Sequence, residues 1–411
     1  MNTALAPSAH SLIQEFTDHL AQPAPVTLNE PWAGQSLAEG AVGVALVHVE
    51  QAARQAASWH AAHRWITQGA AGEISAADTT GLFLGAPALA FVLHTVPHDR
   101  QARYAVARKV LHRHVTALAH RRTSAALARI RRGGLPDFAE YDTLFGLTGL
   151  GAYLLRTAPD SNAFERVLSY LVELTHPLEV DGIQRPGWWV GHDPHRRHSA
   201  AFRAGHGNLG AAHGITGPLL LLAQALRRGV SVKGQAEAIR TICDHLHAWR
   251  QDSEAGPWWP EHLTVADVAA GRTHHRAPGR PSWCYGTPGI ARAGQLAGIA
   301  LQDQALQRAY EEALLGCLSD RAQLALVSDT SLCHGWAGIY QTTYRAVYDA
   351  LTPELAAVLP ALEHTLLAQA RPGVPQGPGF LTGDAGCALA LTTLAADPAP
   401  TTGWDACLLI V

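Results

Sequence analysis

The chain has 411 residues, 47% of them hydrophobic and 16% charged, with a formal net charge of −3. That composition supports a large packed core and excludes disorder, and 31 basic residues against 34 acidic ones exclude a general nucleic-acid binder. A length beyond the usual single-core size leaves two domains or one closed array of repeats, each unit packed on its neighbours.

The opening segment, MNTALAPSAHSLIQEF, lacks the basic stretch and long apolar core of a signal peptide. No run of about 18 apolar residues follows that could span a bilayer. The nearest, GPLLLLAQAL from Gly217, stops at Arg227 and Arg228. These features predict a cytoplasmic protein, free to associate peripherally with a membrane-bound complex. The six cysteines, Cys243, Cys284, Cys317, Cys333, Cys387 and Cys407, are too dispersed for a disulfide framework, so reduced thiols are expected.

One motif recurs along the chain: four variable residues, Gly, two variable residues, then a small residue. Its seven copies are SLAEGAVG, GLFLGAPA, DTLFGLTG, GAAHGITG, SWCYGTPG, SLCHGWAG and GFLTGDAG, with marker glycines Gly40, Gly85, Gly146, Gly214, Gly286, Gly335 and Gly383. The spacings of 45, 61, 68, 72, 49 and 48 residues suit one helical hairpin per repeat. Only the second copy ends on Ala88 in place of glycine.

Each motif is followed by a run that is apolar round most of a helix and must therefore be buried, while more amphipathic segments such as AEAIRTICDHLHAWR lie between. The pattern predicts an all-α fold, a double-layered α/α toroid of seven helical hairpins with inner and outer helix rings, and all motif loops at one end. An open solenoid is the alternative. Residues 1–411 read as one such domain, with insertions at about 177–210 and 256–282 that carry Trp188, Trp189, Trp258, Trp259 and many histidines. The insertions should cover the motif end, either as packing lids or as contacts to a substrate.

The chemistry concentrates in repeats five and six. Cys284 and Cys333 both lie two residues before their marker glycines, and His334 lies one before. A cysteine taken alone is more often an inert buried residue, but equivalent positions in adjacent repeats bring these two thiols side by side. Soft sulfur with imidazole selects Zn2+ among common ions, and three protein ligands leave a fourth position open, as in catalytic sites. One of His192, His195, His198 or His206 could instead close the site. On the same rim, His213 shares the offset of His334 and is a candidate acid, and Asp142 either orients that imidazole or caps a helix. Arg280, four residues before Cys284, could stabilise a developing oxyanion. Nine Arg and one Lys, without Asp or Glu, fall between Arg100 and Arg132. They form either a solvated helix face or a docking strip.

Together the segments GHGNLGAAHGITGPL, RPSWCYGTPGIAR, SLCHGWAGIY and TGWDACLLIV, supported by PGWW at Pro186 to Trp189, give a chain that resembles the lanthionine synthetase C family of lantibiotic cyclases. The resemblance implies Zn2+ held by Cys284, Cys333 and His334, with His213 and Asp142 as active-site residues and Arg280 near them. The implied reaction is intramolecular Michael-type addition of a precursor-peptide cysteine to dehydroalanine or dehydrobutyrine, giving lanthionine or methyllanthionine. The implied partners are the dehydrated precursor peptide and a dehydratase. A relative that adds a small thiol such as glutathione, and a scaffold with structural zinc, remain the competing readings.

Overall fold

The computed structural model describes residues 8–23, 32–180, 182–374, 377–395 and 400–411. Seven helices form an inner ring: Ala41–Ala53, Gly85–Thr95, Leu147–Thr157, Thr216–Arg227, Thr287–Leu301, Trp336–Tyr348 and Asp384–Ala395. Each packs on the next and the last packs on the first, so the array is closed and the open solenoid is ruled out. Burial follows the apolar character of these runs, as in the first inner helix, where every residue from Ala41 to Gln51 is buried.

The outer ring consists of Ala9–His19, Trp59–Gly69, Ala105–Arg131, Asn162–Glu173, Gln235–Ala248, Gln304–Ser319 and Leu359–Gln369. Their buried faces follow helical periodicity, for example Ala62, Trp65, Ile66 and Gly69. Ser58, Ser161 and Asp303 cap three of them with side-chain oxygens. The seven helix pairs are not all sequential hairpins. The seventh inner helix takes its outer partner from the other end of the chain, the helix Ala9–His19.

Backbone hydrogen bonds link the motif loops around one end of the ring. Leu37 donates to Phe83, Thr143 to Ala212, Ala211 to Cys284, Cys284 to Cys333, Cys333 to Leu381 and Leu381 to Ala38, at 2.8 to 3.2 Å. The second and third loops meet through packing, where Gly81 sits against the backbone of Leu144 and Phe145. Because every inner helix starts directly after such a loop, seven helix N-termini converge on this end and favour negative charge there.

The closing glycine of the motif has a steric cause. A Cβ at Gly43, Gly149, Gly289, Gly338 or Gly386 would collide with the carbonyl oxygen six residues earlier in the same loop. In the second repeat the inner helix begins at Gly85 itself, which adopts φ 66°, and this altered loop accommodates Ala88.

The two insertions are joined by an antiparallel ribbon in which His206–Asn208 pairs with His262–Thr264. Trp188, Trp189, Trp258 and Trp259 are all buried, with Trp189 Nε1 donating to Ala204 O and Trp259 Nε1 to Leu246 O, so these indoles pack. The basic strip lies largely on the outer helix Ala105–Arg131, but part of it is structural. Arg122 is buried and donates to the carbonyls of Thr80 and Ala139, Arg121 pairs with Asp78, and Arg129 pairs with Glu140. Charge reversal at Arg122 would therefore disrupt packing rather than probe docking.

The C-terminal residues fill the bore. Trp404, Cys407, Leu408, Leu409 and Ile410 are buried. Glu50 accepts from the amides of Thr401 and Thr402, Arg156 donates to the carbonyls of Thr402 and Gly403, Gln224 to Leu409 O, and Arg292 to Ile410 O. Arg345 grips Asp405 with two hydrogen bonds of 2.7 and 2.8 Å. These side chains come from five of the seven inner helices. Among the described residues no helix is long and apolar enough to cross a membrane.

Candidate metal centre

Cys284, Cys333 and His334 stand on adjacent loops of the hydrogen-bonded ring, and their ligand atoms all lie within 4.8 Å of one another. The Cys284 amide donates to the Cys333 carbonyl at 3.2 Å, so the backbone ladder itself sets the two thiols side by side. Cys284 is buried, while Cys333 and His334 retain some exposure toward the mouth. The hydroxyl of Ser282 lies 3.5 Å from Cys284 Sγ.

The contact between the two thiols, with His334 nearby, holds the Cys284 thiol well below the usual range, while the same contact and burial drive Cys333 up. Burial, with nearby aspartates, has the opposite effect, pushing Cys243, Cys317 and Cys387 up to about 12. Two thiols and an imidazole form a donor set suited to a thiophilic divalent ion such as Zn2+. None of His192, His195, His198 and His206 joins the group. His192 accepts from the Phe138 amide, and His206 Nδ1 contacts the His192 carbonyl at 2.7 Å.

Asp142 and His213 meet on the same rim. His213 Nδ1 lies 2.6 Å from Asp142 Oδ2, and Asp142 Oδ1 accepts from the amides of Phe145 and Gly146 at 2.6 and 2.8 Å. Asp142 is therefore an imidazole partner and a brace of the motif loop, and not a helix cap: the two amides it accepts precede the helix Leu147–Thr157, which has no side-chain cap. The carboxylate is fully buried and the His213 side chain is 21% exposed, so the ring presents an edge to solvent. It stacks with both Phe138 and Phe145, at centroid separations of 5.3 and 5.7 Å.

Arg280 reaches Asp329, not a metal ligand directly: its Nη1 lies 3.9 Å from Asp329 Oδ2, and the same oxygen lies 3.4 Å from His334 Nε2. Asp329 thus links Arg280 and His334. Asp329, Phe138 and Phe145 were not singled out in the sequence. Asp329 carries one local signal, since SDTS lets its Oδ1 accept from the Ser331 amide at 2.8 Å and shape the loop before Cys333.

The fold and this group of residues define a ring-shaped thiol and imidazole protein, and the family comparison agrees. The profile of the lanthionine synthetase C-like proteins matches residues 31–409, and the chain belongs to that family. The nisin biosynthesis protein NisC of Lactococcus lactis subsp. lactis is 24% identical over 263 residues, 62% of this chain and 60% of that protein. The solved structure of nisin cyclase superposes with a TM-score of 0.76 at 19% identity, covering 98% of this chain and 96% of that one, which establishes the shared toroid.

Proposed function

We propose that this protein is a zinc-dependent lanthipeptide cyclase that joins precursor-peptide cysteine thiols to dehydroalanine or dehydrobutyrine, forming thioether rings. The observation that carries the reading is the convergence of Cys284, Cys333 and His334 on one rim with the Asp142 and His213 pair. Family membership and the likeness to nisin cyclase support it.

In this reading Cys284, Cys333 and His334 hold Zn2+, which, when bound, lowers the pKa of an incoming thiol so that it reacts as thiolate. Asp329 orients the His334 ring, and the inner-helix N-termini favour the negative charge of the site. The sulfur adds to the β-carbon of the dehydro residue, the carbon–carbon double bond opens, and the electron pair passes to an enolate. His213, with Nδ1 held by Asp142, delivers a proton from Nε2 to the α-carbon and regains one equivalent to that lost by the thiol. Phe138 and Phe145 fix the imidazole plane. Arg280 offers its guanidinium to the enolate oxygen. Product and substrate have the same mass, so the reaction consumes nothing else.

The substrate would be the dehydrated precursor, delivered by a dehydratase partner. Exposed members of the basic strip, among them Arg113, Arg131 and Arg132, would dock the precursor's leader or the dehydratase. Incubating the purified protein with dehydrated precursor should eliminate free thiols at constant mass, and chelation of zinc should stop the loss. Thiols that persist with metal-loaded protein refute the cyclase reading; a mass gain in the presence of glutathione would instead identify an intermolecular thiol adduct.

A further inference from the structure

A second convergence of metal-binding side chains lies in the 256–282 insertion, apart from the two thiols. The imidazoles of His262, His274 and His275 each offer a nitrogen, and these atoms all lie within 4.8 Å of one another. Their ring centroids are 4.2 Å apart for His274 and His275, 5.1 Å for His262 and His275, and 5.5 Å for His262 and His274.

Local structure builds this group deliberately. His262 opens the ribbon strand His262–Thr264, and the short helix Val265–Ala270 follows under a capping box. Gly271 ends that helix at φ 62°, which turns the chain back so that His274 and His275 return to His262. Asp267 is the pivot of the turn. Its Oδ2 accepts from the amide and hydroxyl of Thr264, both at 2.7 Å, and its Oδ1 accepts from the His274 amide at 2.7 Å.

The same carboxylate lies 2.9 and 3.0 Å from His274 Nδ1. That contact makes Nδ1 the donor and leaves the lone pair on Nε2, the arrangement in which a carboxylate orients a metal-ligating imidazole. His275 contributes an independent observation, because its Nε2 is buried and has no hydrogen-bond partner. A buried nitrogen without a partner is costly unless something completes it.

We propose that His262, His274 and His275 form a second divalent transition-metal site, with Asp267 orienting His274. Three imidazole nitrogens suit Zn2+, Co2+, Ni2+ or Cu2+ and disfavour Mg2+ and Ca2+, which take oxygen. His274 is exposed, which gives an ion in solution direct access. The site would pin the 272–275 turn onto the ribbon. The ribbon in turn reaches the first centre: His262 pairs with Asn208, and Asn208 Nδ2 donates to the hydroxyl of Tyr285, the residue after Cys284, at 3.2 Å. An ion here would stiffen the wall beside the thiols without touching the reacting atoms.

Cobalt distinguishes the two sites, because only thiolate ligands give an intense sulfur-to-metal charge-transfer band. Metal-free protein titrated with Co2+ should bind two equivalents, one with that band and one with ligand-field bands alone. The His274→Ala, His275→Ala double variant should keep only the former, and the Cys284→Ala, Cys333→Ala double variant only the latter. Asp267→Asn, which can keep one acceptor for Thr264 but puts an NH2 where the His274 amide and Nδ1 were accepted, should weaken the second equivalent roughly 10–100-fold and leave the first unchanged. Should a double variant fold poorly, the exposed single change His274→Gln, with helicity matched to the parent, serves the same purpose. One equivalent in the parent protein, carrying the full charge-transfer intensity, would overturn the proposal, as would two equivalents in the histidine double variant. Neither outcome bears on cyclisation, which is read from precursor thiols.

Discussion

In the proposed mechanism His213 donates from one nitrogen while Asp142 holds the other, and that division governs what its replacement should do. In His213→Asn the proposed metal ligands and the Asp142 contacts to the Phe145 and Gly146 amides survive, so metal content and helicity should match the parent while cyclisation slows by about 10²–10⁴-fold. An unchanged cyclisation rate would remove His213 as the acid. The residues of the centre were legible because the motif is a ruler: positions one and two before a marker glycine reappear at equivalent points of the ring, so matched offsets translate into proximity. Asp329 lies six residues before Gly335, the offset of Arg280 before Gly286, so the ruler did hold a sign of their meeting that went unread; Phe138 stands outside it. Phe138 arrives on a segment before the motif with no counterpart at its offset, so nothing in the spacing announced that it flanks His213.

The loop that carries Cys333 and His334 depends on its closing glycine. Gly338→Ala would press a methyl group into the Leu332 carbonyl one residue before Cys333. Overpacking of this kind costs about 1–3 kcal/mol and should shift the ligands enough to lower metal affinity. Ala88→Gly, in the loop already built for a Cβ, should cost only about 0.5–1 kcal/mol, from added backbone freedom, and leave metal binding untouched. Denaturant midpoints and a metal titration on both variants separate the two effects; equal losses would refute the steric account. The inner helices were equally readable from their apolar runs. The outer partner of the seventh was not, because the helix Ala9–His19 precedes the first motif and bears no phase mark of its own.

At the scale of the molecule, the ring is held from inside. Four side chains that grip the C-terminal segment, Glu50, Arg156, Gln224 and Arg345, each lie ten residues beyond their marker glycine. That row of polar groups on otherwise apolar inner helices was a visible sign of something polar in the bore, although nothing identified the tail as its occupant. Trp404→Ala should cost about 3–5 kcal/mol. If residues 1–411 act as one domain, it should lower a single unfolding transition rather than split it; two separated transitions in the parent would refute that unity.

Acid should destabilise the ring in a defined window. Burial, with Arg108, His112 and Arg156 nearby, lowers His94 to about 4, and burial against Trp188 does the same to His245, both from 6.5. Between those values the unfolded chain binds more protons than the folded one, so this stabilisation is full above 6.5 and is lost as pH falls toward 4. Glu261 and Asp384, raised by burial, act in the opposite sense. Urea midpoints that stay flat across the window for the parent, and do not change on His245→Gln, would refute the assignment.

The pairing of the helix Ala9–His19 with Asp384–Ala395 also constrains biogenesis. A growing polypeptide emerging from the ribosome can stack its inner helices one upon another, yet it cannot shut the circle until the helix Asp384–Ala395 is made. Through that interval two apolar faces, on the first inner helix and on whichever was newest, stay bare to water. Completion then links segments more than 360 positions apart in a single late step, and any chaperone dependence of this protein should act there.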